Sequence, residues 1–403
     1  MRRLTRASLA AEAGTTAGRI DDLVRVGVLA PADDGSFTSS DIQRVRVVDA
    51  YESGGISLAL IELAIERRWI SFHQTEAIYP DPGPRSARTV NEFVESLGER
   101  SPLLEPLLAA FGLPTPAGDA HLTEHDERML ADFLTAWDVS DDDTVAVRAA
   151  RLAGESIRRT VDGWLDLFVE QVTRPLEDRT RTVDETVPVI VPRASGIVDR
   201  APEVLVWLFE RHLEAGLDAV NTASMESGLA REGLLPDRSM HPPAIAFADL
   251  AGFTRLTQEH GDEIAARSAA KLAELSSQVA RARDGRLVKL LGDGAMLWFP
   301  DPRRAVEASL DLVAAVAGAD LAPAHIGVNS GPVIGRDGDF FGHTVNVAAR
   351  LAGRAAPGET LVTREVVEAV GESIPGITFE PVGELDLRNV LTAVTAFRAG
   401  RSG

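Results

Sequence analysis

The sequence predicts an α+β protein, a mostly α-helical N-terminal region followed by a C-terminal domain with split βαβ order. Three observations point there. Before about residue 230 the apolar residues recur at helical spacing, with long amphipathic stretches at 144–173 and 202–229. Beyond Ala244 short apolar runs alternate with helical patterns in the order strand, helix, two strands, helix, strand. Proline-rich joints separate the parts: Tyr79 to Arg85 holds three prolines in seven residues, and Leu234 to Pro243 holds Pro236, Pro242 and Pro243. The chain has 403 residues, well beyond one typical domain of ~150. The expected division is 1–80, 88–232, a linker at 233–243, and 244–403.

In chain order, Ala7 to Gly14 and Thr16 to Gly27 are helix-length runs, each ended by a glycine suited to a left-handed cap. Pro31 to Gly35 is turn chemistry, and Ser40 or Asp41 can cap a helix with Ile42, Val45, Val48 and Ala50 at core spacing. Thr123 with Asp126 has capping-box spacing. Val183 to Pro192, with Val187, Val189 and Val191 alternating, reads as an extended connector. Ala244 to Leu250 reads as a strand, Glu259 to Ala282 as a long helix, and Arg286 to Phe299 as a hairpin with Gly292-Asp293-Gly294 at its tip. Arg303 to Val316 is a helix, Ala324 to Gly335 hairpin-like, Thr344 to Ala355 a helix, and Ile377 to Phe397 more strand. The expected domain is an antiparallel sheet covered by helices on one face.

Lys and Arg number 41 against 61 Asp and Glu, a formal charge of −20 that repels nucleic acid unless a local basic patch overrides it. There is no cysteine, which excludes disulfides, thiolate metal sites and a Cys nucleophile. No apolar run approaches the ~18 residues of a spanning helix. After Met1-Arg2-Arg3-Leu4, Glu12 interrupts any signal-peptide core. These features predict a cytoplasmic protein with no membrane association.

Two carboxylates stand at the edges of the expected sheet. Asp249 ends the first strand, within Ala246-Phe-Ala-Asp-Leu-Ala-Gly-Phe-Thr254, and Asp293 sits in Lys289-Leu-Leu-Gly-Asp-Gly294. Adjacent strands can bring them together as oxygen ligands of the kind Mg²⁺ prefers. Gly252 lets the backbone approach closely, and Phe253-Thr254 open a helix whose free N–H groups can hold an anion. Taken singly, a turn aspartate and a capping aspartate account for either motif. A third motif, Asp339-Phe-Phe-Gly-His-Thr-Val-Asn-Val-Ala-Ala-Arg350, places Asn346 and Arg350 four apart on one helical face, suited to ribose or phosphate oxygens.

With these motifs in this order, residues 244–398 resemble the class III nucleotidyl cyclases, whose catalytic domain has a ferredoxin-like split βαβ fold. The resemblance implies that Asp249 and Asp293 hold two divalent cations, Mg²⁺ or Mn²⁺, with the Leu250 carbonyl as a further ligand. It matches Lys289 and Asp339 to the purine-selecting pair, and Asn346 and Arg350 to the residues that orient the ribose and stabilise the transition state. In the tail, Leu387-Arg-Asn389 stands where many members have Leu-Lys-Gly, and Arg388 is the counterpart assigned to the terminal phosphates. Gly252, Phe253 and Thr254 complete the substrate-binding set. The family's centres lie between two catalytic domains, metal carboxylates from one and the other four residues from its partner. The implied protein is a homodimeric adenylate cyclase that makes 3′,5′-cyclic AMP and pyrophosphate from ATP, gated by its N-terminal region. Lys289 can donate to adenine N1 and Asp339 accept from the 6-amino group, whereas guanine reverses both polarities. A guanylate cyclase, or a DNA-binding or scaffolding regulator with a nucleotide-sensing cyclase-like domain, are the alternatives. Diguanylate cyclases are disfavoured because no Gly-Gly-Asp/Glu-Glu-Phe signature occurs.

Residues 6–60 resemble the MerR-type winged-helix module through Leu9-Ala-Ala-Glu-Ala-Gly14, Leu23-Val-Arg-Val-Gly-Val-Leu29, Ser40-Asp-Ile and Ser53-Gly-Gly-Ile-Ser-Leu58. The groove-entering helix of that family is basic; here it reads Arg19-Ile-Asp-Asp22, and residues 1–50 hold seven basic and seven acidic side chains. A helical interaction or dimerisation module is therefore favoured over DNA binding. Residues 120–230 resemble, in hydrophobic pattern only, the regulatory halves of actinobacterial cyclases. His121 and His125 straddle a helix start and read as a solvated first turn rather than a metal site. The apolar positions Val204, Leu205, Leu208, Leu213, Leu217 and Val220 read as core, with packing against a partner chain as the alternative.

Overall fold

The computed structural model describes residues 3–72, 79, 83–139, 142, 144–176, 183–235, 242–371 and 375–402. It divides into two compact units, Met1–Glu214 and Ala215–Gly403. The joints expected at 79–85 and 233–243 lie partly outside the described residues.

In the first unit β1 (Arg3–Leu4) pairs antiparallel with β2 (Phe37–Thr38). Between them in sequence come α1 (Arg6–Ala13) and α2 (Ala17–Arg25). Each starts where a threonine caps the first turn: Thr5 Oγ1 accepts the Ser8 N–H at 3.1 Å and Thr16 Oγ1 the Arg19 N–H at 3.2 Å. Helix α3 (Ser39–Ser53) is capped by Thr38 rather than by Ser40 or Asp41. Asp41 serves as the third helical residue, and its carboxylate accepts the Thr38 N–H at 2.8 Å. Ile42, Val45 and Val48 are buried with Leu9, Ile20, Leu23 and Ile61 of α4 (Leu58–Glu66), while Ala50 faces solvent.

A second core gathers Phe93, Leu107, Leu130, Leu134 and Ala150 from α5 (Val90–Ser96), α6 (Leu104–Phe111), α7 (Glu124–Ala136) and α8 (Thr144–Phe168). The Thr123–Asp126 capping box is formed as its spacing predicts. Val183 to Pro192 is not extended; it opens α9 (Val183–Arg231), a 49-residue helix that contains Pro188, Pro192 and Pro202. Val191 and Ala194, three apart, are both buried, so burial at helical spacing overrides the alternating valines. Farther along α9 the apolar stripe is not core: Val204, Leu213, Leu217 and Val220 are exposed, as are Trp207 and Phe209.

The second unit holds a seven-stranded sheet of β3 (Ala244–Leu250), β4 (Arg286–Leu291), β5 (Gly294–Phe299), β6 (Ala324–Ser330), β9 (Thr360–Thr363), β10 (Ile377–Leu385) and β11 (Val394–Arg401). The order is β10-β11-β9-β6-β3-β5-β4. The four strands β6-β3-β5-β4 have the antiparallel split βαβ arrangement, and β9 joins β6 in parallel. Along β3 the side chains alternate. Ala244, Ala246, Ala248 and Leu250 pack under α11 (Asp262–Arg281) and α12 (Pro302–Gly318); Ile245 and Phe247 face the other way.

Three expectations are corrected in this unit. The second face is also covered, by α13 (His343–Ala352) and a separate ribbon of β7 (Ile334–Arg336) and β8 (Asp339–Phe341). Ala324 to Gly335 is accordingly no hairpin, because β6 lies between β3 and β9 while β7 turns away to pair with β8. The helix expected from Glu259 begins instead at Asp262 as α11, because Gly261, with φ +87°, separates it from α10 (Phe253–His260), the helix that Phe253 and Thr254 open. A short helix α14 (Arg364–Val370) follows β9. Among the described residues no helix is long and apolar enough to cross a membrane.

Candidate active site

Asp249 is the penultimate residue of β3, paired across to Gly294 on one side and His325 on the other. The β4–β5 turn holds Asp293 beside it: the Leu250 N–H donates to the Asp293 carbonyl at 3.2 Å. The two carboxyl groups are close enough to share a hydrogen bond when one is protonated. Burial, and then the charge of Asp293, push the Asp249 carboxyl above its ordinary range; His325 acts in the opposite sense. Two like charges at a half-buried strand end, with a backbone carbonyl adjacent, suit a hard divalent cation that completes its shell with water and phosphate oxygens. No group of three or more His, Asp or Glu suited to a metal occurs among the described residues. His121 Nδ1 bonds instead to the Ser86 and Arg88 carbonyls, and His125 Nδ1 to Arg128.

Lys289 and Asp339 meet directly, Lys289 Nζ donating to Asp339 Oδ2 at 2.5 Å. Local structure aims both. The register of β4 against β5 slips between Leu287 and Lys289, and such a bulge re-aims the following side chain. Asp339 opens β8 and its second oxygen accepts the Phe340 N–H at 2.8 Å.

Asn346 and Arg350 lie one turn apart on α13, both exposed. Among the described residues no hydrogen bond or ion pair joins either to Asp249, Asp293 or the Lys289–Asp339 pair. Gly252 caps α10 with φ +71°, a conformation that suits glycine, and Thr254 is exposed behind it; Phe253 packs against the main core. Arg388 is exposed in the turn Leu387–Val390. That turn explains the departure at its neighbour: Asn389 has φ +62°, which asparagine tolerates where glycine is usual. Leu250 itself is buried.

Two neighbours of Asp249 escaped the sequence reading. His325 sits with Nε2 3.8 Å from Asp249 Oδ2 while Nδ1 bonds to the Ala352 carbonyl at 2.8 Å. Gly294 leaves room for the carboxylate; a Cβ there would lie 3.2 Å from Asp249 Oδ1. Only the β3–β6 register reveals His325, whereas Gly294 stands within the Gly292-Asp293-Gly294 motif, where turn chemistry alone accounts for it.

A family model for the adenylate and guanylate cyclase catalytic domain matches residues 236–397. An adenylate cyclase of Streptomyces coelicolor is 33% identical over 251 residues, covering 61% of this chain and 62% of that protein. A pH-sensitive adenylate cyclase of Mycobacterium tuberculosis is 28% identical over 323 residues, covering 78% of each chain. The crystal structure of an adenylate/guanylate cyclase/hydrolase from Silicibacter pomeroyi aligns at 27% identity with a TM-score of 0.36, covering 39% of this chain and 94% of that one. The family match gives the MerR-type resemblance of residues 6–60 no support. Residues 236–397 belong to the adenylate and guanylate cyclase catalytic domain family.

Proposed function

We propose that the chain is an adenylate cyclase converting ATP to 3′,5′-cyclic AMP and pyrophosphate. The observation that carries this reading is the meeting of Asp249 and Asp293 where β3 ends beside the β4–β5 turn, in a domain of this family. The names of the sequence relatives favour ATP over GTP.

In this reading Asp249, Asp293 and the Leu250 carbonyl hold two divalent cations, Mg²⁺ or Mn²⁺. When bound, these ions neutralise the triphosphate and lower the pKa of the ribose 3′-hydroxyl. Lys289 and Asp339 exchange their mutual bond for adenine N1 and the 6-amino group. The free N–H groups of α10, opened by Gly252, Phe253 and Thr254, receive phosphate oxygens, and Arg388 the terminal phosphates. Asn346 holds the ribose. Arg350 stabilises the charge that builds as the 3′-oxygen attacks the α-phosphorus in line, its proton passes to solvent water, and the bond to pyrophosphate breaks.

Each centre is shared in a homodimer, with the carboxylates of one copy facing Lys289, Asp339, Asn346 and Arg350 of the other. The exposed face of α13 supports this, as do the exposed Trp207, Phe209, Leu213 and Leu217 of α9, which a second copy would cover. The N-terminal region gates the site; the M. tuberculosis relative matches well beyond the catalytic domain. We place the protein in the cytoplasm, where its ATP is available. The test is turnover: the purified chain with ATP and Mn²⁺ should release cyclic AMP and pyrophosphate in equal amounts, with GTP roughly tenfold slower or worse. A folded dimer that makes no cyclic AMP would leave a nucleotide-sensing regulator.

A further inference from the structure

The ribbon that carries Asp339 is short. β7 and β8 have only three register pairs, Ile334 with Phe341, Gly335 with Phe340 and Arg336 with Asp339. A two-stranded ribbon of this size is not held in place by its own hydrogen bonds. Its anchor is Phe340, 9% exposed, in the small core with Ile245, Met296, Val345 and Ala348. Trp298 stacks on that ring, centroids 5.9 Å apart and planes within 7°. The Arg286 guanidinium lies over both rings, 5.0 Å from the Phe340 centroid and 5.4 Å from that of Trp298. Arg286 and Trp298 are cross-strand partners on β4 and β5, so their side chains share a face.

Asp339 directly precedes Phe340, and both its carboxylate oxygens are engaged, one by the Phe340 N–H and one by Lys289. Lys289 in turn lies three residues after Arg286 on β4. The stack therefore ties the strand that supplies the donor to the ribbon that supplies the acceptor. We infer that Trp298 and Arg286 are positioning residues for purine selection: acting through Phe340, they hold Asp339 in register with Lys289. This rests on the reading that Lys289 and Asp339 contact the base. Without the stack the ribbon can shift along β4. The carboxylate then no longer meets the adenine amino group squarely, nor repels the guanine carbonyl from a fixed point. Discrimination falls, while the Asp249–Asp293 site on another strand end keeps its metal response.

The experiment measures kcat/KM for ATP and GTP, and the Mn²⁺ dependence, in the full chain and in Trp298→Leu, Trp298→Phe, Arg286→Met and Asp339→Asn. Trp298→Leu should lower the ATP-to-GTP ratio roughly tenfold, given that a ~1 Å misplacement can cost ~10²-fold. Arg286→Met, at an exposed site, should lower it roughly threefold, the size of an exposed cation–π contact. Trp298→Phe retains a stacking ring and should stay within about twofold of wild type. If Asp339→Asn collapses the ratio while Trp298→Leu and Arg286→Met leave it unchanged, the positioning role is wrong and the purine reading stands. Equal losses on both nucleotides, with the ratio unmoved, would likewise overturn it in favour of a purely structural stack. If Asp339→Asn leaves the ratio intact, the purine reading fails and takes the positioning role with it.

Discussion

Lys289 and Asp339, fifty residues apart in sequence, meet as opposite charges that satisfy one another; Asp249 and Asp293 meet as like charges that do not. The first pair is pre-organised. Its geometry exists without a ligand, and in the proposed function a base replaces that one hydrogen bond with two. The second pair carries electrostatic tension, visible in the raised Asp249 carboxyl, which a bound cation would relieve. In the roles proposed for them, the Lys289–Asp339 pair gains from being complete in advance, whereas the Asp249–Asp293 pair gains from being incomplete without an ion.

The comparison breaks most decisively at the metal pair. Asp249→Ala and Asp293→Ala should each reduce cyclic AMP formation to below a few per cent while circular dichroism stays native, because both side chains lie outside the main core. Activity above that level in either variant would remove the residue from the metal site. Arg350→Ala should cost on the order of 10²–10³ in kcat, with a smaller change in KM, as for other transition-state donors. At the purine pair, Lys289→Glu with Asp339→Cys should erode the preference for ATP over GTP without abolishing turnover; full discrimination would place selection elsewhere.

The smallest effect concerns stability and sharpens the contrast by its sign. Because the folded-state pKa of Asp249 is raised, the folded protein holds a proton that the unfolded chain has lost in the window just above the ordinary value of 3.8. Stability from this group is present below that value and falls as pH rises through the folded-state pKa. Asp293→Asn removes one cause of the shift. Without metal it should therefore melt about 1–2 °C higher at neutral pH, and should lose the stabilisation that added Mn²⁺ gives wild type. A variant that melts lower without metal would show that the two carboxylates do not strain one another.

Much of the catalytic domain was legible from residues alone because its signals are local. The strand Ala244–Leu250, the Gly292-Asp293-Gly294 tip and the facing pair Asn346 and Arg350 follow from period, turn chemistry and helical geometry. What was not legible depends on contacts between distant strands. The β3–β6 register brings His325 to Asp249, the β4 bulge aims Lys289, and β7 leaves β6 to form its own ribbon. In the helical region alternating valines imitated a strand where α9 runs through three prolines, and an apolar stripe that reads as core is exposed. Neither burial nor a partner's presence is written in the spacing of apolar residues.

The proposal that each centre is shared between two copies is tested most directly by mixing. Asp249→Ala and Arg350→Ala proteins should each be inactive, and their equimolar mixture should recover activity as subunits exchange. Random pairing makes half the dimers mixed, each with one intact centre of two, so the plateau should approach about a quarter of wild type. No recovery, with exchange shown independently by labelled subunits, would mean that each centre is built within one chain.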